Sequence, residues 1–571
     1  MRKFMAYLKG WRGISLIVYM WLVLMAWVVV YVDVMSIEMR KRFYIVSIAE
    51  TILLALIYIC PTLLRFAEKI NITSESEALT KKDKARIFLR TWMITLGVFF
   101  VMYLIFYPGG FSDDNILQYA QAMGYKNYND WHPVIHTLIA FTLPLRLTGG
   151  WVGSINLFQL IVFSLSLAYT ACVMNEYANR KYSKFFMWYI MLNPATLSLA
   201  ITPQKDTLFA VTCMLLSCFG ARIYFTKGKW IQSTLHTGIF IIVLTLCTLF
   251  RHNAILFTLP IFFAVSLCMN KRRAFIILLC FLGLFWSVKY PLYESLNVER
   301  PGRRQVEMLG LSMSVIGNAV KETPERIDSD IKEFAYSVAP KIIWDDIFNI
   351  FIGFISVEYA SGRIPESERE RFKDFDGVNL DAIEAAGWRN VLGMAYRCFR
   401  VSTWHSLRAV LAPTSLVYGI AGPPIGRIIP VVKPNDYGLS NNNFFRLDAL
   451  ANLITKILPF SDSVTGNYYM NDGGVFSLQS LFILGEYGVM VLFRHVFWCI
   501  GILNLAMIVF ILAKLNLSKC NDWKRLCFVL PLFCYNFGTM LLLKSNDFRY
   551  FYYSYLVMPL MLLMLLRRQE N

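Results

Sequence analysis

Residues 152–174 read VGSINLFQLIVFSLSLAYTACVM, twenty-three residues without a Lys, Arg, Asp or Glu. As an α-helix such a run is about 35 Å long, enough for a hydrocarbon core that needs roughly 20 helical residues. Similar apolar runs recur between Ile14 and Leu566, and the chain of 571 residues is 57% hydrophobic and only 16% charged, against about 25% charged in soluble domains. Mean hydropathy is +0.49. A soluble enzyme is excluded, and repeated crossing of a bilayer demands helices, because lipid satisfies no backbone polar group. The expectation is an all-α polytopic membrane protein.

Spans are expected at 14–33, 43–64, 88–107, 152–174, 185–203, 206–225, 231–250, 254–270, 274–292, 489–513, 526–543 and 550–566, about twelve in all. The run 133–147 is short for a crossing, contains Pro144 and is followed by Gly149-Gly150, so it is read as a juxtamembrane helix at the outer interface. The first run has no small-residue cleavage site and is read as a retained signal anchor. The formal charge of +18 needs no nucleic acid: 26 Lys/Arg fall in 1–13, 65–90, 175–184, 221–230, 271–273, 514–525 and 567–571. The positive-inside bias makes these the cytoplasmic set, with both termini inside. Arg40, Lys41 and Arg42 dissent. All but one of the twelve cysteines lie in or beside apolar runs, so a disulfide framework is not expected in the polar region, which holds only Cys398.

Three parts follow: an N-terminal transmembrane module, 1–292, with an external loop at 108–151; an external, mostly helical mixed domain, 293–487; and C-terminal transmembrane helices, 488–571. The middle part carries 19 Lys/Arg and 23 Asp/Glu, with helix-like patterns at 325–338 and 381–400 and a Pro/Gly/Asn-rich loop at 421–443. No internal repeat is evident, which counts against a transporter built from inverted halves.

In this threading the unusual polar groups share the outer face. Asp113 and Asp114 open a short amphipathic helix that Ser112 is placed to cap, and structure alone explains acids in a first turn as well as chemistry does. Lys205-Asp206 follows Asn193-Pro194 and Pro203; Arg251-His252-Asn253 fills a tight turn; Lys544, Asp547 and Arg549 fill another. Each alone reads as a snorkelling residue or structural ion pair; together they suit an anionic headgroup, which guanidinium binds through paired donors. His132 and His136 have helical metal spacing, but Pro133 intervenes and no glutamate of a zinc-protease pattern is present. No phosphate-binding glycine loop or nucleophile elbow appears.

The stretches PGGFSDDNILQYAQAMG…NDWHPVIHTLIAF, NPATLSLAITPQKDTLFA, FRHNAILF and NDFRYFYYSYLVMP resemble, in their order, a bacterial family of mostly unassigned activity within the GT-C superfamily of integral-membrane glycosyltransferases. The resemblance covers most of the membrane portion. It implies a GT-C-like fold in the bacterial plasma membrane, acting on the cell envelope, and transfer of a sugar from a polyprenyl-phosphate donor to a hydroxyl of a glycan or protein acceptor at the outer face. The family's catalytic Asp, followed a few residues later by Gln, corresponds to Asp114 with Gln118, and less well to Asp113. A carboxylate facing the acceptor hydroxyl takes its proton as the oxygen attacks, and one base without a protein nucleophile implies inversion. Cations holding the departing phosphate are expected at Arg549, Lys205 and Arg251, in that order. Gln118, His132, His252, Asp206 and Tyr550 are expected around the substrate. Across such enzymes divalent-cation dependence varies, and Asp113 and Asp114 are the groups that would bind one.

Two other classes suit parts of the pattern. A polysaccharide polymerase or ligase also uses polyprenyl-linked glycans and outer-face arginines. A lipid-linked-saccharide flippase needs polar residues at mid-membrane, which are scarce in this sequence: Glu50 is the only clear mid-span acid.

Overall fold

The computed structural model describes residues 10–30, 51–52, 54–62, 79–299, 308–350, 353–358, 378–418, 429–442, 478–498, 500–518, 523–542 and 547–567. These are nearly all helical; among them the only extended pairings are isolated bridges. Among the described residues six helices have the length and apolar composition of membrane spans: Lys81–Ile105, Gly153–Tyr177, Lys205–Phe225, Lys271–Ser295, Trp523–Leu542 and Phe548–Leu566. Half of the span expected at 43–64, and Arg40 to Arg42, Glu50 and Lys544, lie outside the described residues.

The chain forms two compact units, each discontinuous in sequence. One comprises Asn71–Glu299, Arg427–Trp498 and Tyr552–Asn571. Its helices are α1 (Lys81–Ile105), α2 (Asp113–Ala122), α3 (Val134–Leu147), α4 (Gly153–Tyr177), α5 (Arg180–Leu192), α6 (Pro194–Ala200), α7 (Lys205–Phe225), α8 (Thr234–Phe250), α9 (Ile255–Ser266), α10 (Lys271–Ser295), α11 (Leu478–Phe497) and α12 (Tyr553–Leu566). Helix α7 is the centre, packed by α4, α8, α9 and α12, and α1 lies along α4. The apolar run at 185–203 is two helices, not one. Pro194 has no N–H to continue α5, and Asn193 turns extended and caps α6 by accepting from the Ala195 N–H at 2.9 Å.

Charge is sorted between the ends of this unit. At one end the α1 start meets the ends of α4, α7 and α12. Glu176 bridges Lys84 (2.6 Å) and Arg222 (3.0 Å), and the Arg567 guanidinium lies over the Tyr177 and Phe225 rings. Exposed Lys81, Lys82, Arg86, Arg180, Lys181, Lys227 and Lys229 surround it. The carboxylates of α2 and the start of α7 are at the other end.

The second unit comprises Met1–Ile70, Arg300–Gly426 and Cys499–Phe551. Its helices Gly310–Glu322, Ser329–Val338, Leu380–Ala386, Trp388–Val401 and Thr403–Tyr418 surround fully buried Trp344, whose indole N–H donates to the Ala335 and Ala339 carbonyls. Helix Thr403–Tyr418 also packs against Trp11–Val30, Ile500–Ser518 and Leu530–Leu542. Buried amides seal that contact: Asn504 donates to the Val417 carbonyl at 2.7 Å and Asn536 to Asn504 at 2.9 Å.

Candidate active site

The loop after α1 is held by backbone capture. Asn156 donates to the Pro108 carbonyl (2.8 Å), the Gly110 N–H to the Ile201 carbonyl (2.9 Å), and Asn115 to the Pro203 carbonyl (2.9 Å). The two glycines are required there. Gly109 has φ +107°, and a Cβ on Gly110 would stand 2.6 Å from Thr202 Oγ1 and 2.8 Å from the Pro430 Cα. Ser112 and Asn115 close the start of α2, the serine N–H and O–H both donating to Asn115 Oδ1. The starts of α2 and α7 are thus fixed to each other.

This fixing separates the two aspartates. Asp113 is 74% exposed and ion-paired with Lys433, on a segment whose backbone pairs with Phe111. Asp114 is 31% exposed and turns to His132, its Oδ1 3.8 Å from Nε2. His132 is buried, and its Nδ1 lies 3.0 Å from the Lys205 ammonium at the first position of α7. With the ammonium donating to Nδ1, the imidazole N–H sits on Nε2 and faces the carboxylate. Carboxylate, imidazole and ammonium form one line, and both carboxylates sit at a helix N-terminus, where the backbone dipoles favour negative charge.

The remaining expected residues take other partners. Gln118 is buried and donates to His136 Nδ1 (3.0 Å) and Thr137 Oγ1 (2.9 Å), fastening α3 to α2. Burial, and second the Lys205 ammonium, push the His136 imidazole down to about 3, so it stays a neutral acceptor. Asp206 and Arg251 form a buried ion pair joining the start of α7 to the end of α8. Arg251 Nε also donates to Asn253 (2.9 Å), and its guanidinium lies 5.9 Å from the Phe209 ring centre. His252 Nε2 is 3.1 Å from the Asp130 carbonyl oxygen. Arg549 and Tyr550 belong to the other unit, where Arg549 Nε is 2.8 Å from Asp547 Oδ2 and the guanidinium lies 5.0 Å from the Tyr550 ring centre.

The sequence reading missed Asp130, its partner Tyr293, and Lys433. Buried Asp130 accepts from the Tyr293 hydroxyl at 2.9 Å, tying the loop before His132 to the end of α10; it lay unremarked inside the NDWHP stretch. Lys433 is 320 residues from Asp113 in sequence, and no local pattern marks it. As for a cation, Asp113 and Asp114 face different partners, and among the described residues no three His, Cys, Asp or Glu side chains gather as a metal-binding set. His132 and His136 likewise engage different groups. Comparison with protein-family models, with curated proteins and with solved structures finds no match.

Proposed function

We propose that the chain is a membrane glycosyltransferase that moves a sugar from a polyprenyl-phosphate carrier to an acceptor hydroxyl, with Asp114 as general base and inversion at the anomeric carbon. The observation that carries this is the Asp114–His132–Lys205 cluster, in which a partly exposed carboxylate lies 3.8 Å from a buried imidazole that an ammonium contacts from its other nitrogen. Asp114 takes the acceptor proton as the oxygen bonds to the anomeric carbon; the bond from that carbon to the lipid phosphate breaks, and the phosphate leaves as an anion. Lys205 stabilises that charge more as it develops. Asp113 is turned to Lys433 and Asp114 to His132, so Asp114 is preferred. The ordered resemblance of the polar stretches to GT-C glycosyltransferases supports the reading. So does the cation-rich opposite end of the unit, which suits the cytoplasmic leaflet of a bacterial plasma membrane, with Asp114 then toward the outer leaflet.

The test is release of polyprenyl phosphate from polyprenyl-phosphate hexoses by the purified full-length protein, with water or added glycan as acceptor. Asp114→Asn is expected to lower release by at least about a hundredfold, with Asp113→Asn within about threefold of wild type. Equal activity in both single variants and their double variant removes the base.

One observation favours a second reading, a lipid-linked-saccharide flippase: Glu486, within apolar α11, is buried and accepts from Ser198 at 3.4 Å. Movement of labelled lipid across vesicles without a new glycosidic bond would select it.

A further inference from the structure

The segment 429–442 returns to the unit that holds Asp114 and runs beside α2 for its whole length. Lys433 meets Asp113 at the start of the helix. Four residues on, Tyr437 stacks on Tyr125, just past the helix end, with ring centres 5.5 Å apart and planes 3° from parallel. Tyr119, on α2 itself, meets Tyr437 edge-on at 6.4 Å. The turn presenting Tyr437 is pre-formed. The Asn435 side chain donates to the Lys433 and Leu439 carbonyls and accepts from the Tyr437 and Leu439 N–H groups, at 2.8 to 3.1 Å. Gly438 takes the left-handed φ of +70° that closes it. Farther back, Asn441 donates to the Phe106 and Gly109 carbonyls, and its Oδ1 accepts from the Val432 N–H. An amide that spends its hydrogen bonds on the backbone of the turn carrying an aromatic residue marks a surface ordered before anything binds it, which reduces the ordering cost of association.

What the surface presents is also defined. Tyr125 is 58% exposed, an unusual position for a ring already stacked on one face. Lys126, Lys433 and Asp436 are exposed beside the stack and the turn. A flat ring bordered by hydrogen-bonding and charged groups matches a sugar, which has an apolar C–H face and a hydroxyl rim. A tyrosine pair supplies large contact area at low conformational cost. The ten residues of α2 span about 15 Å, the length of roughly three hexoses.

We propose that the Tyr125–Tyr437 stack is an acceptor subsite for an extended glycan whose reacting end lies about three sugar units away at Asp114. This rests on the glycosyl-transfer reading and narrows its acceptor to an oligosaccharide or polysaccharide.

The test uses the purified full-length protein and hexose oligomers of one to six units in cello, malto, chito and manno series, with binding measured by native mass spectrometry. Affinity in at least one series is expected to rise to three or four units. Tyr125→Ala and Tyr437→Ala are expected to bind about tenfold more weakly, Tyr125→Phe to bind as wild type, and all three to melt within a few degrees of it. Release of polyprenyl phosphate to water is expected unchanged in these variants, because it needs no acceptor glycan. No binding in any series, no dependence on length, full binding by both alanine variants, or displacement by unglycosylated peptides alone would each overturn the subsite. Wild-type protein that binds oligomers but releases no polyprenyl phosphate would overturn the glycosyl-transfer reading and leave a saccharide-binding surface.

Discussion

Asp206→Asn is the most discriminating perturbation of the frame around Asp114. Asp206 and Arg251 are paired in the unit's interior with side-chain exposures of 1% and 6%. The neutral amide leaves a guanidinium charge buried without its counter-charge, a loss of about 3–5 kcal/mol for pairs of this kind. Two features place the expected cost at the lower end, about 3 kcal/mol: Asn253 still accepts from Arg251 Nε, and the Phe209 ring stays close to the guanidinium. For a unit of about 320 residues, an unfolding entropy of about 2.1 cal/mol/K per residue gives about 1.5 °C per kcal/mol, so the melting temperature in detergent should fall by about 4–5 °C. Arg251→Met should fall comparably. The double variant Asp206→Leu with Arg251→Met should recover to within about 1 kcal/mol of wild type, since an apolar pair carries no desolvation penalty. Activity of that recovered variant then assigns Arg251: retained polyprenyl-phosphate release makes it an anchor, and lost release at restored stability makes it a phosphate ligand. If Asp206→Asn melts within 2 °C of wild type, or the single effects simply add in the double variant, the pair does not join α7 to α8 and the reasoning fails.

Three further outcomes follow from the packing. Gly110→Ala drives a methyl into Thr202 and the backbone of Pro430. It should cost about 1–3 kcal/mol and speed proteolytic cleavage within 429–442; an unchanged cleavage rate would contradict the described contact. His136 is held neutral down to about pH 3, whereas the unfolded chain takes up a proton below about 6.5. Its stabilising contribution is therefore complete above about 6.5 and declines by about 1.4 kcal/mol per pH unit as pH falls toward 3. Melting at pH 5.5 against 7.5 should show a larger loss for wild type than for His136→Gln, and equal losses would sink the assignment. In the other unit a Cβ on Gly317 would meet the Trp344 ring at 2.4 Å, so Gly317→Leu should destabilise that unit by about 1–3 kcal/mol or more, read as lost near-ultraviolet circular dichroism of the tryptophan environment.

Much of the frame is legible in the sequence because membrane helices are specified one at a time. The run at 152–174 announces α4 by length and absence of charge, and α1, α7 and α10 follow by the same rule of length and apolar composition. Turn chemistry is local too: Ser112 with Asn115 starts α2. Even the sorting of cations toward one end of the unit is written in the loop composition. Two boundaries escaped this logic. The run at 489–513 falls across the helices Leu478–Phe497 and Ile500–Ser518, and 185–203 is broken by one proline; in both, hydropathy averages over a local backbone event.

The site was legible as residues and illegible as partnerships. Sequence alone determined that Asp113, Asp114, His132, Lys205, Asp206 and Arg251 are polar groups next to apolar helices, which marks them as costly to keep and worth explaining. Tertiary structure decided which is paired with which: Asp113 with Lys433, Asp114 with His132, His132 with Lys205, Asp206 with Arg251. No periodicity could assign those partners. An ion pair or a ring stack depends on distances of a few ångströms between segments up to 320 residues apart, and such distances are set by how helices pack, while a helix's own length and polarity are set by its residues and the solvent around them.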